Sequence, residues 1–85
     1  MPACMKAKLL QAIDLALSGG WNAAHQIVQQ YEDGTACWIH AVLHKIEGDQ
    51  DNSLYWYRRA GKLEHFSDEP KAELAEIRTE VAAGS

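Results

Sequence analysis

Two histidines of the chain are spaced so that both imidazole rings lie on one face of a helix. His40 and His44 are four residues apart, Cys37 comes about one turn earlier, and Glu47 comes about one turn later. On a helical wheel these four side chains fall within about 80° of arc, so they can converge. Imidazole, thiolate and carboxylate groups are ligands of divalent transition metals, and the pattern therefore indicates a metal- or small-molecule-binding site.

His25 and His65 are the histidines of other segments that can complete such a site. The sequence holds neither an HExxH nor a CxxC motif, and a stable metal site normally needs a ligand from a second element. The alternative is structural: His40 and His44 pack at the interface of a helical hairpin and bond to carbonyl groups or tyrosine hydroxyls. Because specific motifs are missing, the sequence favours the structural role and predicts neither a metal nor a cofactor.

Catalysis by a cysteine nucleophile requires an activated thiol beside a base. Cys37 with His40 or His44 is the one sequence-adjacent pair of that kind, and a cysteine is more often a buried free thiol. Gly19 and Gly20 do not form a phosphate-binding loop, since no Lys-Ser or Lys-Thr pair follows them. We therefore assign no catalytic residue, and the sequence favours a protein that is not an enzyme.

A candidate surface for binding a ligand or partner combines aromatic, basic and imidazole side chains of two neighbouring helices. Its members are Tyr55, Arg58, Arg59, Lys62, His40 and His44. A guanidinium group beside an aromatic ring can hold a carboxylate through two hydrogen bonds, so the predicted partner is an acidic protein or peptide segment. The alternative is a solvated helix face whose arginines pair with Asp51, Glu64 or the acidic last helix.

The net charge of −4 argues against two classes of partner. A nucleic-acid-binding protein needs a basic surface to neutralise phosphates, and anionic membranes also attract basic segments.

No stretch approaches the roughly 20 apolar residues that span a bilayer, and residues 1–8 contain no apolar leader segment. Cys4 and Cys37 are predicted to be reduced thiols, with a single disulfide between them as the alternative. These features predict a soluble cytoplasmic protein that binds neither nucleic acid nor membrane.

Turn-forming segments divide the 85 residues into the helices of a single domain. These segments are Ser18–Gly20, Glu32–Gly34, Glu47–Asp49 and Ser67–Pro70. No run alternates with the period of a strand, and helices are predicted near residues 4–17, 21–31, 35–47, 50–64 and 68–82. Thr35 is the predicted N-cap of the third helix, and Asp49 or Asp51 that of the fourth. Because the connections are short, we expect an all-α fold of antiparallel helical hairpins.

Apolar stripes on these helices predict the core. The stripes contain Trp38, Ile39, Val42, Leu43 and Ile46 in the third helix, Trp56, Tyr57, Ala60 and Leu63 in the fourth, and Leu74, Ile77 and Val81 in the last. All three tryptophans are assigned to this core. Glu73, Glu76 and Glu80 are predicted to form a solvated face, so that the last helix is either a polar cap or a contact with a second copy.

The segment Gly48–Ala60 resembles the middle of a tetratricopeptide or Sel-like helical repeat. Its Gly-Asp turn is followed, at the spacing of such repeats, by the small residue Ser53 and the aromatic residue Tyr57. A looser copy lies upstream, with Gly19 in the equivalent position, at a period shorter than the roughly 34 residues of a tetratricopeptide unit.

This resemblance implies a right-handed array of helical hairpins that binds protein segments. Residues 4–31 would form a degenerate first repeat, residues 35–64 a second repeat, and residues 67–82 the capping or dimerising helix. The segments Trp38–Asp49 and Tyr55–Gly61 are also similar to small uncharacterised bacterial proteins, a similarity that carries no activity to these positions. The expected function is that of a small protein-interaction module, with self-association as one version of it and the metal- or small-molecule-binding helix face as the alternative.

Overall fold

The computed structural model describes the backbone of residues 2–84 and the side chains of residues 5–83, so the side chain of Cys4 lies outside the described range. Within that range the chain forms five α-helices and one short 3-10 turn and contains no strand, which confirms the prediction of an all-α fold. The helices are α1 (Pro2–Leu17), α2 (Trp21–Val28), α3 (Gly34–Glu47), α4 (Gln50–Ala60) and α5 (Pro70–Gly84), and the 3-10 turn spans Leu63–His65. No described helix combines the length and apolarity needed to cross a membrane.

Two glycines in the left-handed conformation end the central helices. Gly48, with φ of +91°, ends α3, and Gly61, with φ of +70°, ends α4. Residues with a side chain are strained in this region, so the helix stops at glycine. The stop at Gly61 comes before the predicted end near residue 64. α2 likewise ends at Val28, three residues before the predicted end at Tyr31. The Tyr31 amide donates to the Val28 carbonyl at 3.1 Å and so closes a turn after the helix.

Aspartate side chains begin the same two helices. Asp33 accepts a hydrogen bond from the Ala36 amide at 3.4 Å and caps α3. The prediction of Thr35 as this cap is therefore wrong, because Thr35 lies inside the helix. Asp49 accepts a hydrogen bond from the Asn52 amide at 3.3 Å and caps α4, which confirms one of the two predicted caps. Each bond satisfies an amide that the first helical turn leaves without a partner.

Helix α3 forms the centre of the fold. Every side chain from Ala36 to Leu43 is buried, because α2, α4 and α5 all pack against this helix. α5 also packs against α1, and its Leu74 and Ile77 are fully buried. Two of the three residues of the apolar stripe predicted for the last helix are therefore covered within the chain, and Val81 is half-buried.

Two residues predicted for the core, Ile46 and Leu63, are 43% and 44% exposed. Leu63 follows Gly61 and lies in the 3-10 turn, where the angular spacing of an α-helix no longer applies. Ile46 lies in the last turn of α3 and lines a surface groove together with Leu17 and Leu74. Both errors come from extending one helical wheel to a position where the partner helices no longer cover it.

Glu73 is only 1% exposed, so its predicted place on a solvated face is wrong. Its carboxylate accepts hydrogen bonds from Trp38 Nε1 at 2.7 Å and from the Tyr57 hydroxyl at 2.6 Å, and it pairs with Lys45 Nζ at 2.7 Å. Lys45 also donates to three backbone carbonyls of the α4–α5 connection. Burial raises the pKa of Tyr57, and its hydrogen bond to Glu73 raises it further. These four residues form the Glu73 cluster, a buried ion pair with its hydrogen bonds made.

Candidate metal centre

Three histidines from two helices converge beside the centre of the fold. His25 comes from α2, and His40 and His44 come from α3. One ring nitrogen from each lies within 4.8 Å of the other two, and the Nε2 atoms of His25 and His40 are 3.0 Å apart. We call these three residues the histidine cluster. Their rings are close enough for all three to bind one ion.

The spacing along each helix and the packing between helices together position the histidine cluster. His40 and His44 share a face of α3 because they are four residues apart. Trp21 joins α2 to α3, since its Nε1 donates to the Leu43 carbonyl at 2.6 Å. The same indole stacks on His25, with ring centroids 4.8 Å apart and an interplanar angle of 9°, and so holds that imidazole toward α3.

A second tryptophan covers the other side of the histidine cluster. Trp56 of α4 stacks on His40 with ring centroids 3.9 Å apart and an angle of 10°, and His40 is only 5% exposed. Trp38 is the tryptophan that is buried in the core, whereas Trp21 and Trp56 are half-buried. The prediction that all three tryptophans belong to the core missed this second role. The spacing of Trp21 and His25, four residues apart on one helix, was the signal for it.

Glu47 contacts one ring nitrogen of His44 and is not a member of the converging group. Its Oε1 lies 3.0 Å from His44 Nδ1, which leaves Nε2 as the second nitrogen of that ring. A carboxylate bonded to one nitrogen of a metal-binding histidine orients the ring and increases the basicity of the other nitrogen. Glu47 thus supports a candidate ligand without itself joining the three converging nitrogens.

The protonation of the buried imidazoles suits metal binding. Burial, with smaller contributions from the neighbouring His25 and His44 rings, lowers the pKa of His40 to about 3. Burial also lowers the pKa of His25, with the neighbouring His44 ring contributing less. Both rings are therefore neutral near pH 7, the form in which an imidazole nitrogen has a lone pair for a metal.

The cysteine of the predicted set does not reach the histidine cluster. Cys37 is a buried free thiol, and its Sγ donates to the Glu32 carbonyl at 3.7 Å. It lies in the first turn of α3, beside the chain that enters that helix, whereas the histidines lie further along. A shared arc on the helical wheel was therefore not sufficient to bring Cys37 to them.

His65, the alternative second-element ligand, lies elsewhere. Its ring packs on Trp38 with centroids 4.9 Å apart, and its Nδ1 is 2.7 Å from Asp68 Oδ2. The hydrogen bond to Asp68 raises the pKa of His65, which favours an imidazolium paired with a carboxylate. The structure thus brings His25, and not His65, to the pair on α3.

The predicted partner-binding surface divides into exposed and covered parts. Tyr55 is 49% exposed, and Arg59 Nη1 donates to its hydroxyl at 3.1 Å. Arg58 is also exposed, while Lys62 Nζ lies 4.6 Å from the centroid of the Trp38 ring. Within residues 5–83 no carboxylate lies at ion-pair distance from either arginine. His40 is buried and does not belong to this surface.

No family model matches the sequence, and neither a curated protein nor a solved structure is significantly similar to it. The fold and site define a small all-α protein in which three histidines converge between two helices. The tetratricopeptide-like order of its hairpins stays a prediction.

Proposed function

We propose that this protein binds one divalent transition-metal ion through His25, His40 and His44. The observation that carries the proposal is the convergence of three ring nitrogens, from two different helices, within 4.8 Å of one another. A pair of histidines on one helix is common in folded proteins. A third imidazole from another helix supplies the second element that a stable site needs.

One pair of nitrogens already has close to the spacing that a bound ion requires. Nitrogens bound to one tetrahedral zinc ion at about 2.05 Å lie about 3.3 Å from one another. The Nε2 atoms of His25 and His40 are already 3.0 Å apart. Imidazole ligands suit zinc, copper, nickel and cobalt, so the proposal covers these ions and excludes calcium and magnesium, which prefer oxygen ligands.

Calorimetric titration of the metal-free protein with zinc tests this proposal, with elemental analysis of the dialysed complex. We expect one zinc ion per chain. His25→Gln and His44→Gln should each weaken binding more than about tenfold, because loss of a supporting group alone costs about that much. The matched control is His65→Gln, which removes a histidine outside the cluster and should leave the affinity unchanged.

Circular dichroism of each variant verifies that it folds before its affinity is compared. The absence of stoichiometric zinc in the wild-type protein would contradict the proposal. Equal loss of binding in His25→Gln and His65→Gln would also contradict it, because the affinity would then not depend on the three converging rings.

We also propose a second function, the binding of an acidic peptide segment by Tyr55, Arg58 and Arg59. The supporting observation is that Arg59 is held by the Tyr55 hydroxyl, with its guanidinium carbon 5.7 Å from the Tyr55 ring centroid and 5.2 Å from that of Trp56. An arginine placed in this way has other N–H groups free for a carboxylate. This function agrees with the tetratricopeptide-like resemblance.

Fluorescence anisotropy with labelled acidic and basic peptides of equal length tests this second function. We expect binding of the acidic peptide only, and its loss in the double variant Arg58→Ala, Arg59→Ala. Lys71→Ala is the control, since Lys71 is an exposed basic residue on α5. Equal weakening by the control and by the double variant would show that net charge, and not this surface, is responsible.

A further inference from the structure

The histidine cluster supplies three nitrogen ligands for a metal ion, and the described side chains supply no fourth ligand. Among the residues whose side chains are described, no cysteine or carboxylate joins the three converging nitrogens in a common group. Cys37 is turned to the Glu32 carbonyl. A four-coordinate ion bound here must therefore take its fourth ligand from solution.

Glu47 is the nearest charged candidate for a fourth ligand, and its position argues against that role. Its carboxylate lies 3.0 Å from Nδ1 of His44. Glu47 is absent from the group whose ligand atoms all lie within 4.8 Å of one another, so its carboxylate does not share the position where the three histidines would hold an ion. Ligand atoms of Asp49, His44 and Glu47 also lie within 4.8 Å of one another, but this group includes neither His25 nor His40.

Solvent can reach the histidine cluster. The His44 side chain is 12% exposed, and His25 is also partly exposed, although His40 is buried. Tetrahedral metal sites with three protein ligands keep the fourth position for water or an exogenous ligand, whereas structural sites fill all four positions from the protein.

We propose that the ion bound by His25, His40 and His44 keeps one exchangeable position that takes water or a small monodentate anion. This inference rests on the proposed metal-binding function. The positive charge of the bound ion favours an anion over a neutral molecule as the fourth ligand. Three neutral imidazoles leave a divalent ion with its full charge, and Glu47 is the carboxylate placed to offset part of it, through His44.

Cobalt substitution and azide titration test this inference. Cobalt replaces the zinc because its visible absorption bands report ligand number and identity. We expect azide to change the cobalt spectrum with saturation at one azide per bound ion. Cobalt in the same buffer without protein is the blank, and calorimetry establishes beforehand that the ion is bound.

The variant Glu47→Gln distinguishes a fourth coordination position that is open from one that Glu47 fills. If the position is open, this variant, at cobalt concentrations that saturate it, and the wild-type protein both respond to azide at one azide per bound ion. Azide binding by Glu47→Gln alone would show that Glu47 is the fourth ligand and would overturn the inference.

A wild-type cobalt protein that does not respond to azide would overturn the inference while leaving the metal-binding function intact. Failure to bind cobalt or zinc at all would instead overturn the proposed function itself. The two failures therefore remain distinguishable.

Discussion

The Glu73 cluster and the histidine cluster both place polar groups beside α3, and they differ in how completely those groups are satisfied. Glu73 accepts from Trp38 and Tyr57 and pairs with Lys45, so its charge and its hydrogen-bonding capacity are matched by partners from two helices, α3 and α4. In the histidine cluster the Nε2 atoms of His25 and His40 share one hydrogen bond at 3.0 Å, whose donor depends on the tautomer, and a ring nitrogen of His44 lies within 4.8 Å of both histidines' ligand nitrogens. A complete buried network is expected to stabilise the fold, whereas imidazole nitrogens that share a proton can release it and bind an ion. Burial alone does not distinguish the two roles.

The largest effect is expected from breaking the Glu73 cluster. Glu73→Ala should lower the free energy of unfolding by about 3–5 kcal/mol, because it leaves the Lys45 charge and two buried donors without their acceptor. Chemical denaturation measures this change. Glu76→Ala is the matched control, since Glu76 is an exposed carboxylate on the same helix, and its free energy of unfolding should stay close to that of the wild type. Equal effects of both substitutions would show that the Glu73 network is not stabilising.

Metal should stabilise the protein only through the histidine cluster. Zinc at about 100 times its dissociation constant should raise the free energy of unfolding by about 2.7 kcal/mol, because the ion binds the folded state. Thermal unfolding with and without zinc gives the measurement. At the same zinc concentration His25→Gln should reduce the increase to less than about 1.4 kcal/mol, and Glu73→Gln should retain it because Glu73 lies outside the histidine cluster. An equal increase in His25→Gln would place the zinc elsewhere.

Acid should destabilise the metal-free protein through His40. Its pKa is lowered to about 3 in the folded state, first by burial and then by His25 and His44, while the unfolded value is about 6.5. The unfolded chain therefore binds the proton more readily, and stability is lost as pH falls from about 6.5 toward 3. Between pH 7 and pH 4 the His40 contribution should be about 3 kcal/mol.

Chemical denaturation at several pH values in the presence of a chelator measures this loss. His40→Gln should flatten the pH dependence even if its stability at pH 7 is lower. A pH dependence as steep as that of the wild-type protein would assign the loss to other groups, such as the exposed carboxylates.

The smallest effect is expected from the residue that supports His44. Glu47→Gln should weaken zinc binding by about tenfold, because the amide is a poorer partner for His44 Nδ1 than a carboxylate is. It should leave the protein folded, since Glu47 is on the surface. Calorimetric titration measures the change, and Glu64→Gln is a control at an exposed carboxylate outside the site. An unchanged affinity in Glu47→Gln would show that the 3.0 Å contact has no part in binding.

The sequence by itself determined the features that depend on local spacing. The all-α class, the stop of α3 at Gly48, the Asp49 cap as one of two alternatives, and the shared face of His40 and His44 follow from turn chemistry and from 3.6 residues per helical turn. These features need no knowledge of neighbouring elements, because the bonds involved lie within a few residues of one another.

Only the tertiary structure decided which segments meet. His25 reached the histidine pair and His65 did not, because Trp21 bonds α2 to α3 while His65 packs on Trp38. Glu73 became a core residue because α5 packs against α1 and α3. The physical reason is that helix packing minimises the exposed apolar area of the whole chain, and polar residues on a packed face are then buried wherever partners can satisfy them. The spacing of residues along one helix does not indicate which other helix packs against it.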